Sequence, residues 1–240
     1  MNQVQVTTEL KKDGEIGQRK STRRIFIFHW QGWRRFLLDL LIMQVGFFLT
    51  ALSIAIFVNA DIGGLIPWGL FEYLLVDVFS MPIYFSFFLV TIAAFLLGLL
   101  LREPFGWGTP VSFIFVGVLW VSLLEEILPA LSGGIGLQIL YTVIAAFAAA
   151  FGSAIFLSVN AGPGPRDILW LAIARRLRVN AGVAYAILDV GLILIALLLG
   201  LSIGPVTIAH AVAVGPAVWL AFHLFHIKPQ AEFWSRSPKC

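Results

Sequence analysis

The chain has 240 residues, 60% of them hydrophobic and 12% charged, with a mean hydropathy of +0.94. Soluble domains average about 25% charged residues, so a water-soluble globular protein is excluded. The net charge of +3 does not point to nucleic acid either: 8 of the 16 basic residues lie in the first 35 positions, ahead of the first apolar run, where they set membrane orientation.

Residues 1–22 read as a mobile cytoplasmic tail. They are too long and polar for a cleaved signal peptide, and Glu9, Asp13 and Glu15 interrupt the basic pattern that an organellar transit sequence needs. Residues 23–35 mix arginines with Phe, Trp and Ile, as an interfacial anchor on anionic lipid does. Six apolar spans follow at 36–59, 82–101, 108–128, 134–160, 181–201 and 205–226, and a polar tail closes the chain at 228–240. No charge occurs at all from Ile127 to Pro165 or from Val190 to Ile227, and a spanning helix needs only about 20 apolar residues.

The charges also orient the spans. With the tail inside, segment 60–81 falls outside and carries Asp61, Glu72 and Asp77 but no basic residue. Arg102, the arginines at 166, 175, 176 and 178, and Lys228, Arg236 and Lys239 all fall inside, as the positive-inside rule requires. The expected protein is therefore a multi-pass membrane protein with both termini cytoplasmic. Glu72, Asp77, Glu125 and Glu126 read as solvated carboxylates of the outer loops, with an external cation-attracting rim as the other reading.

Val58-Asn59-Ala60, followed by Gly63, Gly64, Pro67 and Trp68, is echoed about one hundred residues on. There Val159-Asn160-Ala161 precedes Gly162, Gly164, Pro165 and Arg166. After each comes a short amphipathic stretch, a Leu-rich span and a Gly-containing turn, Gly106-Trp107-Gly108-Thr109 in the first half and Ser202-Ile203-Gly204-Pro205 in the second. Three spans per unit is an odd number, so the second unit enters the membrane from the opposite side. The fold class that follows is all-α, six transmembrane helices in two inverted three-helix repeats, 36–128 and 129–227, as in many secondary transporters.

The stretch from Asn160 to Asp167, the Pro67-Trp68 pair and Gly106-x-Gly108-Thr109 resemble the YczE/YyaS-like bacterial membrane proteins, relatives of the YitT group. The resemblance covers roughly residues 40–226 and implies a bacterial inner-membrane protein without naming a substrate.

Candidate site residues cluster at the breaks. Pro165 and Arg166 at a helix start, with Gly162, Gly164 and Asp167 around them, suit an anion, since a helix N-terminus presents free N–H groups; the competing reading is a lipid-contacting helix capped by Asp167. Asn59 and Asn160 suit left-handed C-terminal turns, and their symmetric placement, with Pro67 and Trp68, suits a shared cavity. Asp189 lies eight residues into its span, roughly 12 Å deep in a ~30 Å core. A carboxylate there costs about 2.5–3.5 kcal/mol, so it faces the interior, with proton or ion coupling or a hydrogen bond to Tyr185 as the alternatives. His210 is a second candidate proton carrier. The small residues of 145–153 give one span a smooth surface for close helix contact.

Cys240 is the only cysteine, which removes intrachain disulfides and cysteine metal sites. No cofactor, metal or nucleic-acid partner is expected. No catalytic spacing is recognisable, so an enzyme is not expected; the partners are the bilayer, anionic lipid at the basic tail, and a small solute. The leading reading is a small-solute transporter or permease, with a non-transporting membrane scaffold or regulator as the alternative.

Overall fold

The computed structural model describes residues 26–27, 32–62, 65–131 and 133–227. The tails at 1–22 and 228–240, part of the anchor at 23–35, and Gly63 and Gly64 lie outside the described residues. The described chain is helical throughout apart from turns and two extended dipeptides, β1 (Phe26–Ile27) and β2 (Phe105–Gly106), which pair in parallel.

Eight helices follow in chain order: α1 (Trp33–Asn59), α2 (Pro67–Phe79), α3 (Ile83–Leu100), α4 (Gly108–Ile127), α5 (Ile135–Ser158), α6 (Asp167–Leu177), α7 (Ala181–Leu198) and α8 (Pro205–Leu224). Among the described residues, α1, α4, α5, α7 and α8 are long and apolar enough to cross a membrane. In α3 the apolar stretch Phe85–Leu100 is shorter. The two amphipathic stretches predicted after the first and fourth spans are the short helices α2 and α6.

The interior is apolar, as in a soluble domain, but large apolar side chains also cover the outside. Leu198 is 87% exposed and Leu100 77%, whereas Asp189, Thr207, Thr142 and Ser86 are fully buried. Aliphatic side chains turned outward and polar ones turned inward are what a hydrocarbon solvent selects. The chain is a multi-pass helical membrane protein.

Helix ends are closed from within. α1, α3, α6, α7 and α8 all finish with a residue of positive φ, namely Asp61, Arg102, Arg178, Gly200 and His226. In each case the next N–H bonds back to a carbonyl of the last turn, as in Ile62 to Phe57 at 3.0 Å and Glu103 to Gly98 at 3.1 Å. These are Schellman closures, which satisfy carbonyls that lipid would leave bare. Proline occupies the first position of α2 and of α8, where its missing N–H costs nothing.

The two longest helices, α1 and α5, pack antiparallel along the centre of the bundle. Gly46 of α1 faces Gly152 of α5, while Ile56 and Phe57 near the end of α1 pack on Ala145 near the start of α5. A Cβ on Gly152 would lie 2.6 Å from the Gly46 carbonyl oxygen and 2.5 Å from the Thr50 hydroxyl. The smooth surface expected at 145–153 thus serves a backbone-to-backbone contact. Around this pair, α4 packs on α1 and α8 on α5; α2 touches α3 and α7, and α6 touches α7 and α3.

The Gly-containing turns also close by one scheme. The Gly106 N–H donates to the Thr109 hydroxyl and the Gly204 N–H to the Thr207 hydroxyl, each at 3.4 Å. The turn that closes in the same way as Gly106-x-x-Thr109 is Gly204-x-x-Thr207, which starts two residues after the Ser202–Pro205 stretch matched from the sequence. Sequence reading matched the glycines by type; the hydroxyl that completes the turn lies inside the following helix.

Gly152→Val is expected to lower stability by about 1–3 kcal/mol, because a side chain there forces α1 and α5 apart. Gly136→Ala on the same helix, where nothing lies within 4 Å, is expected to leave it unchanged. The midpoint of SDS-induced unfolding in mixed micelles measures both.

Candidate functional site

A cavity of about 250 Å³ lies between the two halves of the chain, and all eight helices contribute to its lining. The N-terminal ends of α2 and α6 meet in its wall. Trp68 is the second residue of α2 and Arg166 immediately precedes α6. The guanidinium of Arg166 lies 5.3 Å from the Trp68 ring centroid and 4.2 Å from that of Phe87 on α3.

Arg166 is held on every side. Its Nε donates to the Thr91 hydroxyl at 2.9 Å, and Nη2 donates to the Glu72 carboxylate and, at 3.4 Å, to the Phe87 carbonyl. Two ring faces, a carboxylate, a hydroxyl and a carbonyl hold the Nε and Nη2 side of the guanidinium, which stays partly exposed. The anion site expected at Arg166 is therefore already taken by the protein's own Glu72.

Asp167 does not cap α6 with its side chain. Its Oδ1 accepts the Trp170 indole N–H at 2.9 Å, and the Gly164 N–H and Ser153 also bond to the carboxyl. Burial among these groups pushes its carboxyl above the usual range, more than the hydrogen bonds and Arg166 bring it down. Asp167 retains some accessible surface, and it faces the cavity. Gly164 makes room for it: a Cβ there would sit 2.6 Å from the Asp167 Oδ2.

At another wall the His210 ring lines the cavity, and its Nδ1 lies 3.0 Å from Asp189 Oδ2. The Asp189 side chain is fully buried behind it, and its Oδ1 has no hydrogen-bond partner. The sequence treated these two as separate candidates and offered Tyr185 as the partner of Asp189. The fold joins Asp189 to His210 instead and leaves Tyr185 on the cavity wall.

Of the other sequence candidates, Trp68 and Gly164 line the cavity, and Pro67 starts α2 without reaching it. Asn59 and Asn160 do not share it. The Asn59 side chain donates to the Ala55 carbonyl at 3.1 Å, and the left-handed residue after α1 is Asp61. Asn160 is itself left-handed, with φ of 64°, and is exposed. They close helices at opposite ends of the antiparallel α1–α5 pair. Gly162, with φ of 129°, packs against Gly106, where a Cβ would lie 2.7 Å from the Gly106 nitrogen.

Sequence reasoning named Glu72 and Glu125 but set them on the outer loops, whereas they line the cavity; it missed Thr91 and Phe87. Among the described residues no group of three or more His, Cys, Asp or Glu is placed to hold a metal.

Residues 33–222 match DUF6198, a family of unknown function, and the chain belongs to that family. It is also similar to a protein of Haemophilus influenzae called uncharacterized, 27% identical over 170 residues that cover 71% of this chain and 77% of the relative. No solved structure matches.

Breaking the interior ion pair by Glu72→Gln or by Arg166→Gln is expected to cost about 3 kcal/mol each, since either leaves a charge without its partner. The double variant is expected to cost less than the sum of the two. A double-mutant cycle on unfolding midpoints reads the coupling.

Proposed function

We propose that the chain is a small-solute transporter or permease of the bacterial cytoplasmic membrane, with six spans in two inverted three-span units and a substrate site at their interface. The observation that carries this reading is the cavity formed where the N-terminal ends of two short helices, one from each half, come together at Trp68 and Arg166. Discontinuous helices meeting at a cavity are the usual construction of a secondary-transporter site.

The inverted repeat draws support from matched local features. The offset of 98 residues that carries Gly106 and Thr109 onto Gly204 and Thr207 also carries Trp68 onto Arg166, Thr91 onto Asp189, Ser112 onto His210 and Ser80 onto Arg178. Ser80 and Arg178 are both left-handed helix ends, and Trp68 and Arg166 touch. Helix contacts follow the same exchange, α2 on α7 and α6 on α3. The motif resemblance to YczE/YyaS-like proteins is part of the same proposal.

Six spans require α3 to cross as well. Its 18 residues reach ~27 Å at ~1.5 Å per residue, close to the ~30 Å core. Cytoplasmic termini follow from the positive-inside rule. Consistent with it, the chain before α1 pairs with the α3–α4 turn, and Arg175 of α6 pairs with Glu103 beside that turn. These groups share one end of the bundle. α2 and α6 are then re-entrant half-helices rather than surface-lying ones, which the consecutive burial of Ile168, Leu169, Trp170, Leu171 and Ala172 favours. The Asp189–His210 pair supplies a proton-coupling group at the cavity wall.

Reconstituted in liposomes, the protein is expected to move small solutes across a broad panel test. A proton gradient is expected to drive that flux in the native protein but not in His210→Gln or Asp189→Asn. Folded protein that moves nothing would sink the transporter reading and leave a membrane scaffold; flux indifferent to the gradient would remove the coupling role alone.

A further inference from the structure

The cavity lies unevenly between the two ends of the bundle. At one end its lining reaches Val58 at the close of α1, Tyr73 on α2, Ile83 at the start of α3 and Glu125 in the last turn of α4. Val58 and Tyr73 are exposed there. The other end holds the start of α1 and the α3–α4 turn, and the lining residues that reach farthest toward it, Ser112, Ser153 and Phe156, are buried. On that side Asp167 is the last lining residue of α6, and the remainder of the helix runs from it to the α3–α4 turn. The 11 residues of α6 make a plug about 16 Å long at ~1.5 Å per residue.

α6 is seated on the first half along its length. Ile168 fills the space a Cβ on Gly98 of α3 would take, and Leu169 packs with Trp68 and Ala94. In the last turn Arg175 pairs with Glu103, and the Arg176 Nη2 donates to the Leu101 carbonyl, so both arginines grip the turn that follows α3. The Glu103 side chain is 6% exposed. Loss of its partner would leave a charge in a poorly solvated place, so the pair holds only while α6 stays seated. α2, the short helix that runs from the cavity toward the opposite end, is buried over Pro67–Leu70 alone, and Asp77, Val78 and Phe79 in its last turn are exposed. Alternating access needs one end shut while the other is open.

From this we infer that α6 is the inner gate of the cavity, held shut by the Arg175–Glu103 ion pair, and that solute enters from the face opposite the start of α1. The inference rests on the transporter reading for the solute, but the access it describes is measured without flux.

The full-length protein is treated with a membrane-impermeant methanethiosulfonate in right-side-out and in inverted membrane vesicles. Native Cys240, which follows α8, marks one face. With Cys240 replaced by Ser, Ala149→Cys sets a single thiol on the cavity wall. That thiol is expected to react at least tenfold faster from the face opposite that of Cys240. Adding Glu103→Gln is expected to raise its rate from the Cys240 face at least tenfold. Asp39→Asn, which breaks the Arg35–Asp39 pair within α1, is expected to leave that rate unchanged. Should the Glu103→Gln protein not elute as a monodisperse species, Arg175→Gln gives the decision in its place. A parent thiol reached as fast from the Cys240 face overturns the inference, as does no reaction from either face. So does a rate that the folded gate variant leaves unchanged, or one that Asp39→Asn raises as much. The expected pattern in a protein that moves no solute would sink the transporter reading and leave the shut inner end standing; flux through a cavity reached freely from the Cys240 face would do the reverse.

Discussion

Hydrocarbon offers no hydrogen bonds, so wherever a chain in a bilayer leaves the helix its bare N–H and C=O groups need protein around them. This chain leaves the helix between α1 and α2 and again between α5 and α6, and each break is sealed by the other half of the molecule. The Thr207 hydroxyl, at the start of α8, donates to the Leu65 carbonyl at 2.6 Å in the first break. The Gly108 N–H, at the start of α4, donates to the Ala161 carbonyl at 2.9 Å in the second. Neither half could lie in lipid alone with its break satisfied. The arrangement of α4 and α8 beside the central α1–α5 pair follows from that mutual need.

The same shortage of partners governs the interior charges. A guanidinium without solvent demands acceptors and a counter-charge, and Glu72, Thr91 and the Phe87 carbonyl bring α2 and α3 to Arg166 to supply them. Arg166 therefore acts as a fastener between the halves. The Gly-Pro-Gly-Pro run before it acquires a steric meaning too. Gly162 lets the break pass Gly106, and Gly164 leaves space for the Asp167 carboxyl.

Much of the architecture was legible in the sequence because it obeys short-range rules. Uncharged apolar runs gave the long helices, the Val-Asn-Ala breaks gave their ends, and small residues at 145–153 gave the closest helix contact. Side-chain partners were less legible, because they depend on which residues the folded bundle brings together. Asp189 and His210 are 21 positions apart on different helices, and nothing local pairs them. Glu72 lies in a segment that reads as an outer loop, yet α2 sets it against Arg166. Asn59 and Asn160 misled for the opposite reason: their local sequences match, but each ends a helix of the antiparallel α1–α5 pair and so lies at an opposite end of it.

Two of the long helices carry an interruption. In α4 the backbone widens to π-helical turns over Phe115–Trp120, and in α8 Pro216 stands inside the helix. A proline removes one rung of the hydrogen-bond ladder and a π turn misaligns several, and both are places where helices bend at low cost. Flexure at the π turns would move the end of α4 that bears Glu125, part of the cavity wall, independently of the end anchored at Gly108 on Ala161.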